Sequence, residues 1–541
     1  MAARYGGRKK PCYNTGMNRK RIPKIPEDQI TPLVAELLEL IQLQMEEIYL
    51  LRDEIARLKN QNPRPKIKPS RLEDKKRSNK TKKKTGKKRP KRSKTKKMEI
   101  HEEVSLKPDN LPDGSKLKGY QEYIVQDLII GSWNTCYRRQ RWQTPSGEYV
   151  IGQLPDHVSG NHFGSTLRAF ILHQHYGCHV TQPLIKEQLN EMGVDISTGQ
   201  INNIIINDKD RFHNEKDYIL ATGLKISPYI HVDDTGARHK GKNGYCTHIG
   251  NEYFAWFKST DTKSRVNFLS LLRGQYTDFV LNEHAFMYMK KQKLPGYQLS
   301  KLIGHADKVL KNEKQWLHFL KRMKITSDRH KRIVMEGALI GSITYHGFNP
   351  GIAIISDDAG QFKVFLHGLC WIHAERSITK LIGFNERQKN LLEKTKTDIW
   401  DYYDDLKKYR LQPDESQKRS LEKRFDEIFT RKTGFASLDM ALKRLWQNKS
   451  ELLLVLKRPD VPLHNNLSER DIREYVKKRK ISGSTRSDSG KRCRDTFISL
   501  KKTCRKLDIS FWNFLKDRLE FRNKYPPLAE IVKSRMTCSG A

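Results

Sequence analysis

A chain of 541 residues is too long for one ordinary hydrophobic core and is read as two to four folded units. Its 103 Lys and Arg stand against 62 Asp and Glu, a net charge of +41. Such self-repulsion does nothing for compactness, so a polyanionic partner is expected, and nucleic acid is the commonest one. A membrane partner is not expected, because apolar runs such as 452–456 fall far short of the roughly 20 residues that span a bilayer. The first ten residues have neither the apolar core nor the cleavage site of a signal peptide. Eight cysteines stand singly, with no C-x-x-C pair, so a zinc ribbon or redox motif is not expected and a reducing cytoplasm is.

Residues 1–30 are polar and basic and read as a flexible arm. From Thr31-Pro32, an N-cap followed by proline, apolar residues recur at spacings of three and four: Val34, Leu37, Ile41, Ile48, Leu51, Ile55 and Leu58, with Gln44 in one seam position. This predicts a coiled coil over 31–60, ended by Pro63, and with it a homo-oligomer, in preference to an amphipathic helix packed on its own domain. Residues 61–115 are a disordered polybasic linker, with 15 Lys and Arg and no acid between Lys75 and Lys97. Such a tract neutralises phosphates without choosing sequence.

Residues 116–222 read as a helical DNA-binding region. Helical periodicity from Thr181 to Met192, Gly193, and a second short helix after Ser197 form a helix-turn-helix pattern that turns Gln200, Asn202 and Asn203 toward the major groove. Paired short helices also occur in ordinary cores. Residues 223–525 form a mixed α/β domain. Strands are predicted at 226–234, 245–250, 253–258, 351–356 and 366–370, with a hairpin turn at Asn251-Glu252 and a helix over 264–273. Residues 526–541 read as a tail.

Two acidic pairs end predicted strands, Asp233-Asp234 and Asp357-Asp358, where α/β sheets gather ligands. Acids also cap ordinary turns, and the residues alone leave open which member of each pair matters. On a predicted helix, Glu469 falls at a border: Ile472 and Val476 on one side, Asn466, Arg470, Arg473 and Lys477 on the other. That basic flank suits either plain ion pairs or phosphates.

With these segments in view, the sequence resembles the IS66 insertion-sequence transposases, a DDE group with an RNase H-like catalytic fold. His231-Val-Asp-Asp-Thr-Gly-Ala-Arg238, Ile355-Ser-Asp357, Cys370-Trp-Ile-His-Ala-Glu-Arg376 and Asn465-Asn-Leu-Ser-Glu-Arg-Asp-Ile-Arg473 with Arg479-Lys480 carry the resemblance. It implies an RNase H-like mixed-sheet core with a helical insertion at about 377–460, preceded by the DNA-binding region and the coiled coil. It also implies Asp233, Asp357 and Glu469 as catalytic acids holding two Mg2+ ions, with Mn2+ as a substitute, and Asn466, Arg470, Arg473, Arg479 and Lys480 on DNA. The implied activity is metal-dependent cleavage of element ends and strand transfer into target DNA, in a prokaryotic cytoplasm at the nucleoid, with element-encoded accessory proteins as further partners. The alternative is a transposase descendant that binds DNA without cutting, against which all three acids are intact. The cysteine-rich zinc segment of many relatives is missing. Cys370 and His373 supply only half of a zinc site and read as structural or DNA-positioning. Residues 275–347 are longer than this resemblance leads one to expect and read as an added helical subdomain.

Overall fold

The computed structural model describes residues 130–155 and 162–538, and otherwise Leu37, Leu40, Ile41, Gln44, residues 100–106, Ser115, Tyr120, Tyr123, Val125, Gln126 and Leu128. The expected arm lies outside the described residues. So do the coiled coil, apart from the helical Leu37, Leu40, Ile41 and Gln44, and the linker, apart from exposed positions at 100–106 and Ser115. Two compact units divide the chain, residues 1–61 with 135–541, and residues 62–134. In the second, the described residues are exposed and form no regular element.

In the first unit, Arg141–Gln143 (β1) pairs with Tyr149–Ile151 (β2) as an exposed hairpin. The α/β body is organised by Tyr229–His239 (β3), Lys242–Gly250 (β4) and Ala255–Thr260 (β5), then a small antiparallel pair, Phe279–Val280 (β6) with Val309–Leu310 (β7), and finally Ala353–Ser356 (β8) and Leu366–Leu369 (β9). Five of these form one sheet in the order β5-β4-β3-β8-β9. The β3–β5 meander is antiparallel, whereas β8 and β9 run parallel to β3.

Alternation sorts the sheet's side chains onto two faces. Ile230, Val232, Ile249, Trp256 and Ile354 enter the main core. Cys246 and Phe257 pack on the other face with Ile472 and Tyr475 of the helix Asn466–Ser482. Each such fully buried aliphatic residue contributes about 1.5–3 kcal/mol relative to exposure. The apolar run at 351–356 is a strand covered on both faces, as its composition predicts.

The first strand does not stop at Asp233-Asp234 as expected but runs on to His239. Lys240 and Gly241, with φ of +48° and +77°, close β3 and β4 through a tight turn in which both central residues are left-handed. The polar stretch Asp234-Thr-Gly-Ala-Arg-His239 has no apolar alternation to betray a strand. Pairing with β8 does end at His231↔Ile355, so Asp233 still stands just beyond the parallel pair.

The outer edge of β5 is closed by side chains of the helix Asp488–Lys506. The amides of Ala255, Phe257 and Ser259 donate to Thr503 Oγ1 (3.1 Å), Ser499 Oγ (2.9 Å) and Asp495 Oδ2 (2.7 Å). Four helical residues rise about 6 Å and two strand residues span about 6.8 Å, so a side chain every fourth residue keeps step with every second amide.

Helices Ser165–Leu172, Gln182–Glu191, Thr198–Ile206 and Asp210–Ile226 share a continuous core with the sheet and with the helices from 488 onward. No gap in packing marks residue 222. The expected tail is instead the helix Leu528–Cys538, whose Leu528, Ala529 and Val532 are fully buried. Its short apolar face is too brief for periodicity to reveal. The segment 377–460 is helical, Glu386–Leu411, Glu415–Phe429 and Ala436–Gln447 enclosing Tyr402, Phe425 and Leu438 in a core with Trp371.

Ser499→Ala should leave the Phe257 amide buried without an acceptor and lower unfolding free energy by about 1–3 kcal/mol. Chemical denaturation of the purified chain measures it, and no change would mean the edge is held by packing alone.

Candidate active site

Because β3 and β8 are parallel neighbours, register carries directly into the site. His231 pairs with Ile355, so two residues further each strand presents an acid, Asp233 and Asp357, on the same face. Burial, then the neighbouring charge of Asp357, with Glu469 among the lesser causes, pushes the Asp233 carboxyl up to about 7. Asp234 points to the opposite face and is occupied by Thr247 Oγ1 and by Gln361 Nε2 at 3.0 Å. Asp358 is engaged by Arg444 and by Lys363 Nζ at 3.1 Å. Of the two acidic pairs, Asp233 and Asp357 are thus the members facing each other.

The third acid is brought to them by Asn465, itself buried. Its Oδ1 lies 2.9 Å from His231 Nδ1, its Nδ2 donates to Val232 O at 2.8 Å, and its amide donates to Cys370 Sγ at 3.2 Å. Burial holds the His231 ring far down, at about 3, so it stays neutral and Nδ1–H is the donor to the amide oxygen. One side chain therefore ties the start of the Glu469 helix to the two residues preceding Asp233. One turn on, Ser468 Oγ meets His248 Nδ1 at 2.6 Å, and Asp471 is clasped by Lys502 (2.8 Å) and Lys506 (2.7 Å). His248 is the β4 partner of Asp233.

Glu469 Oε1 lies 3.3 Å from Arg376 Nη1 and 3.6 Å from His373 Nε2, both on the helix Trp371–Thr379. Among the described residues no three His, Cys, Asp or Glu side chains stand close enough to hold a metal ion as placed. The donor chemistry nonetheless fits a hard divalent cation: all-oxygen ligands, and facing carboxylates whose mutual repulsion a cation relieves. Cys370 does not fit a metal role. Its thiol is buried, is pushed up to about 11 and accepts the Asn465 amide, which makes it structural.

Beyond Glu469 the helix exposes Arg470, Arg473, Lys477 and Lys480, spaced three, four and three residues apart along one stripe. Asn466 is half-buried, and Arg479 is turned to the Gly236 carbonyl of β3 rather than outward. The helix pair expected around Thr181 is present, with Gly193 at φ +77° in the turn and a capping box at Ser197. Gln200 completes that box, accepting from the Ser197 amide at 2.8 Å, and half-buried Asn202 accepts from Gln182 at 3.2 Å. Two of the three expected base-reading residues therefore support the motif itself, while Asn203 is exposed. Alternation along β3 puts His231 on the Asp233 face, but nothing in the sequence names its partner. His248, Ser468, Asp471 and Arg376 were not singled out as partners, since their contacts join distant segments.

The family model described as Transposase IS66 family matches residues 160–281 and 345–492, a span that includes all three acids. Over 320 residues, 59% of this chain and the whole of the relative, the sequence is 43% identical to the "Uncharacterized protein y4jO" of Sinorhizobium fredii (strain NBRC 101917 / NGR234). The chain belongs to the IS66 transposase family. In this family member the match passes over 282–344, which coincides with the segment read as an addition. Among the described residues no helix is long and apolar enough to cross a membrane.

An acid raised in the folded state favours folding below its ordinary pKa, and that contribution is lost as pH rises through 7. Asp233→Asn should therefore stabilise the metal-free chain at pH 8, with the advantage shrinking toward pH 5. Added Mn2+ or Mg2+ should raise the wild-type melting temperature at pH 8 and leave the Asn variant nearly unmoved. Thermal melts of both proteins across pH, with and without metal, test this.

Proposed function

We propose that the chain cuts DNA at the ends of an insertion sequence and joins the freed strand to target DNA, with Asp233, Asp357 and Glu469 as its catalytic acids. The observation that carries this reading is the parallel register of β3 and β8, which sets Asp233 beside Asp357 with its carboxyl raised to about 7 in a member of a transposase family. The order β5-β4-β3-β8-β9 supports the RNase H-like reading of the core.

Asp233 and Asp357 would hold two Mg2+ ions, or Mn2+, with Glu469 completing the set. Bound there, the ions would supply an activated water or 3′-hydroxyl and stabilise the departing oxygen. The remaining work falls to side chains of this chain. Arg470, Arg473, Lys477 and Lys480 form a cationic track about 15 Å long that starts beside Glu469, suited to successive phosphates of one strand. Arg376, 3.3 Å from Glu469, would be available to a phosphate if that carboxylate held a cation instead. The partner is double-stranded DNA, and oligomerisation through 31–60 would bring two ends together.

Nicking of duplexes carrying the element's ends, in Mg2+ or Mn2+, is the direct assay. Glu469→Gln and Asp233→Asn should each reduce cleavage by at least about a hundredfold, while affinity for the same DNA stays within a few-fold. Binding without cleavage by the wild type in either metal would instead favour a non-catalytic DNA-binding descendant.

A further inference from the structure

The stretch that begins at the edge of the family match, at 279, contains its own duplication. Phe279-Val-Leu-Asn-Glu283 and Val309-Leu-Lys-Asn-Glu313 each run from a two-residue strand into an Asn-capped helix, Glu283–Lys291 or Glu313–Arg322. Asn282 accepts from the Ala285 amide at 3.1 Å, and Asn312 from the Gln315 amide at 3.0 Å. The helices also end alike. Lys293 N donates to Lys290 O and Leu294 N to Met289 O, both at 3.0 Å. Lys324 N donates to Lys321 O at 3.0 Å and Ile325 N to Leu320 O at 3.2 Å, the same bonds 31 residues on. Strands β6 and β7 pair Phe279 with Leu310 and Val280 with Val309, so each residue faces the counterpart of its strand neighbour, the pattern of a local two-fold axis.

What the copies share on the surface is charge. One ends in Lys290-Lys-Gln-Lys293 and the other in Lys321-Arg-Met-Lys324, and all six cations are exposed. Lys293 and Lys324 have φ of +58° and +53°, the helix-terminating position that glycine fills without strain. Folding alone would favour glycine there, yet both copies carry lysine. Arg329 Nη2 reaches back to Gln292 O at 3.2 Å, joining the second copy's next helix to the first copy's basic turn. Across 282–344 there are 13 Lys and Arg against 5 Asp and Glu.

We propose that this duplicated unit is a second duplex-DNA contact, in which the two basic helix ends grip phosphates of the backbone without reading bases. It rests on the reading above that the chain handles duplex DNA, and it adds a surface outside the matched family region. Paired cationic turns about a local dyad suit a duplex, whose two backbones are themselves dyad-related, and among the described residues the six cations face a single partner acid, Asp307 at 3.7 Å from Arg322.

The test uses the full chain with K290Q, K291Q, K293G, K321Q, R322Q and K324G combined. The glycines fit the backbone, so the melting temperature should hold or rise, which separates binding from folding. The slope of log affinity against log salt for a duplex of arbitrary sequence should fall by about two to five, and affinity at 0.15 M salt by about tenfold or more. Restoring Lys293 and Lys324 alone should recover part of the slope. An unchanged slope and affinity would overturn the proposal, as would retained duplex binding with lost binding of an acidic peptide. If Glu469→Gln leaves cutting intact, the catalytic reading fails while the slope still decides this one.

Discussion

Two aspartates held side by side at the end of a buried parallel strand pair are the constraint around which this molecule is arranged. Each strand is apolar up to that point, so its backbone pairing and side-chain burial leave the acids no freedom to part. The surrounding core holds them in place, and burial, with the neighbouring charge of Asp357 adding to it, displaces the Asp233 carboxyl to about 7.

The third acid depends on polar ties rather than on apolar packing alone. Asn465 joins His231, the Val232 carbonyl and Cys370 in one buried knot, and the Ser468–His248 contact repeats the arrangement a turn later. The first knot runs from the Glu469 helix to the strand that carries Asp233 and the second to the neighbouring β4. Hydrogen bonds fix direction where hydrophobic contact fixes only proximity, so the helix is indexed to the sheet instead of merely resting on it. The engagement of Glu469 with Arg376 is by contrast between half-exposed groups and is the contact in the site most easily exchanged.

Local signals made much of this legible. The run at 351–356, the Asn251 turn, the helix over 264–273 and the paired helices around Gly193 announce themselves through composition and spacing. The acids emerged because each stands where an apolar or amphipathic pattern ends. Polar extension of β3 left no such trace because its residues carry no apolar alternation, and the helix after Leu528 and the network behind Glu469 left none because each is decided by contacts with residues hundreds of positions away. The duplication within 275–347 was present in plain letters, two Asn-Glu pairs thirty residues apart. Its divergent helix faces hid it until the hydrogen bonds could be compared.

The ladder of Asp495, Ser499 and Thr503 along β5 has a consequence for assembly. An uncovered outer strand is a template on which any extended segment can dock, and here three successive amides on that rim already have acceptors from a helix of the same chain. Growth of the sheet across this border is therefore blocked. Strand exchange at this rim would first have to displace that helix.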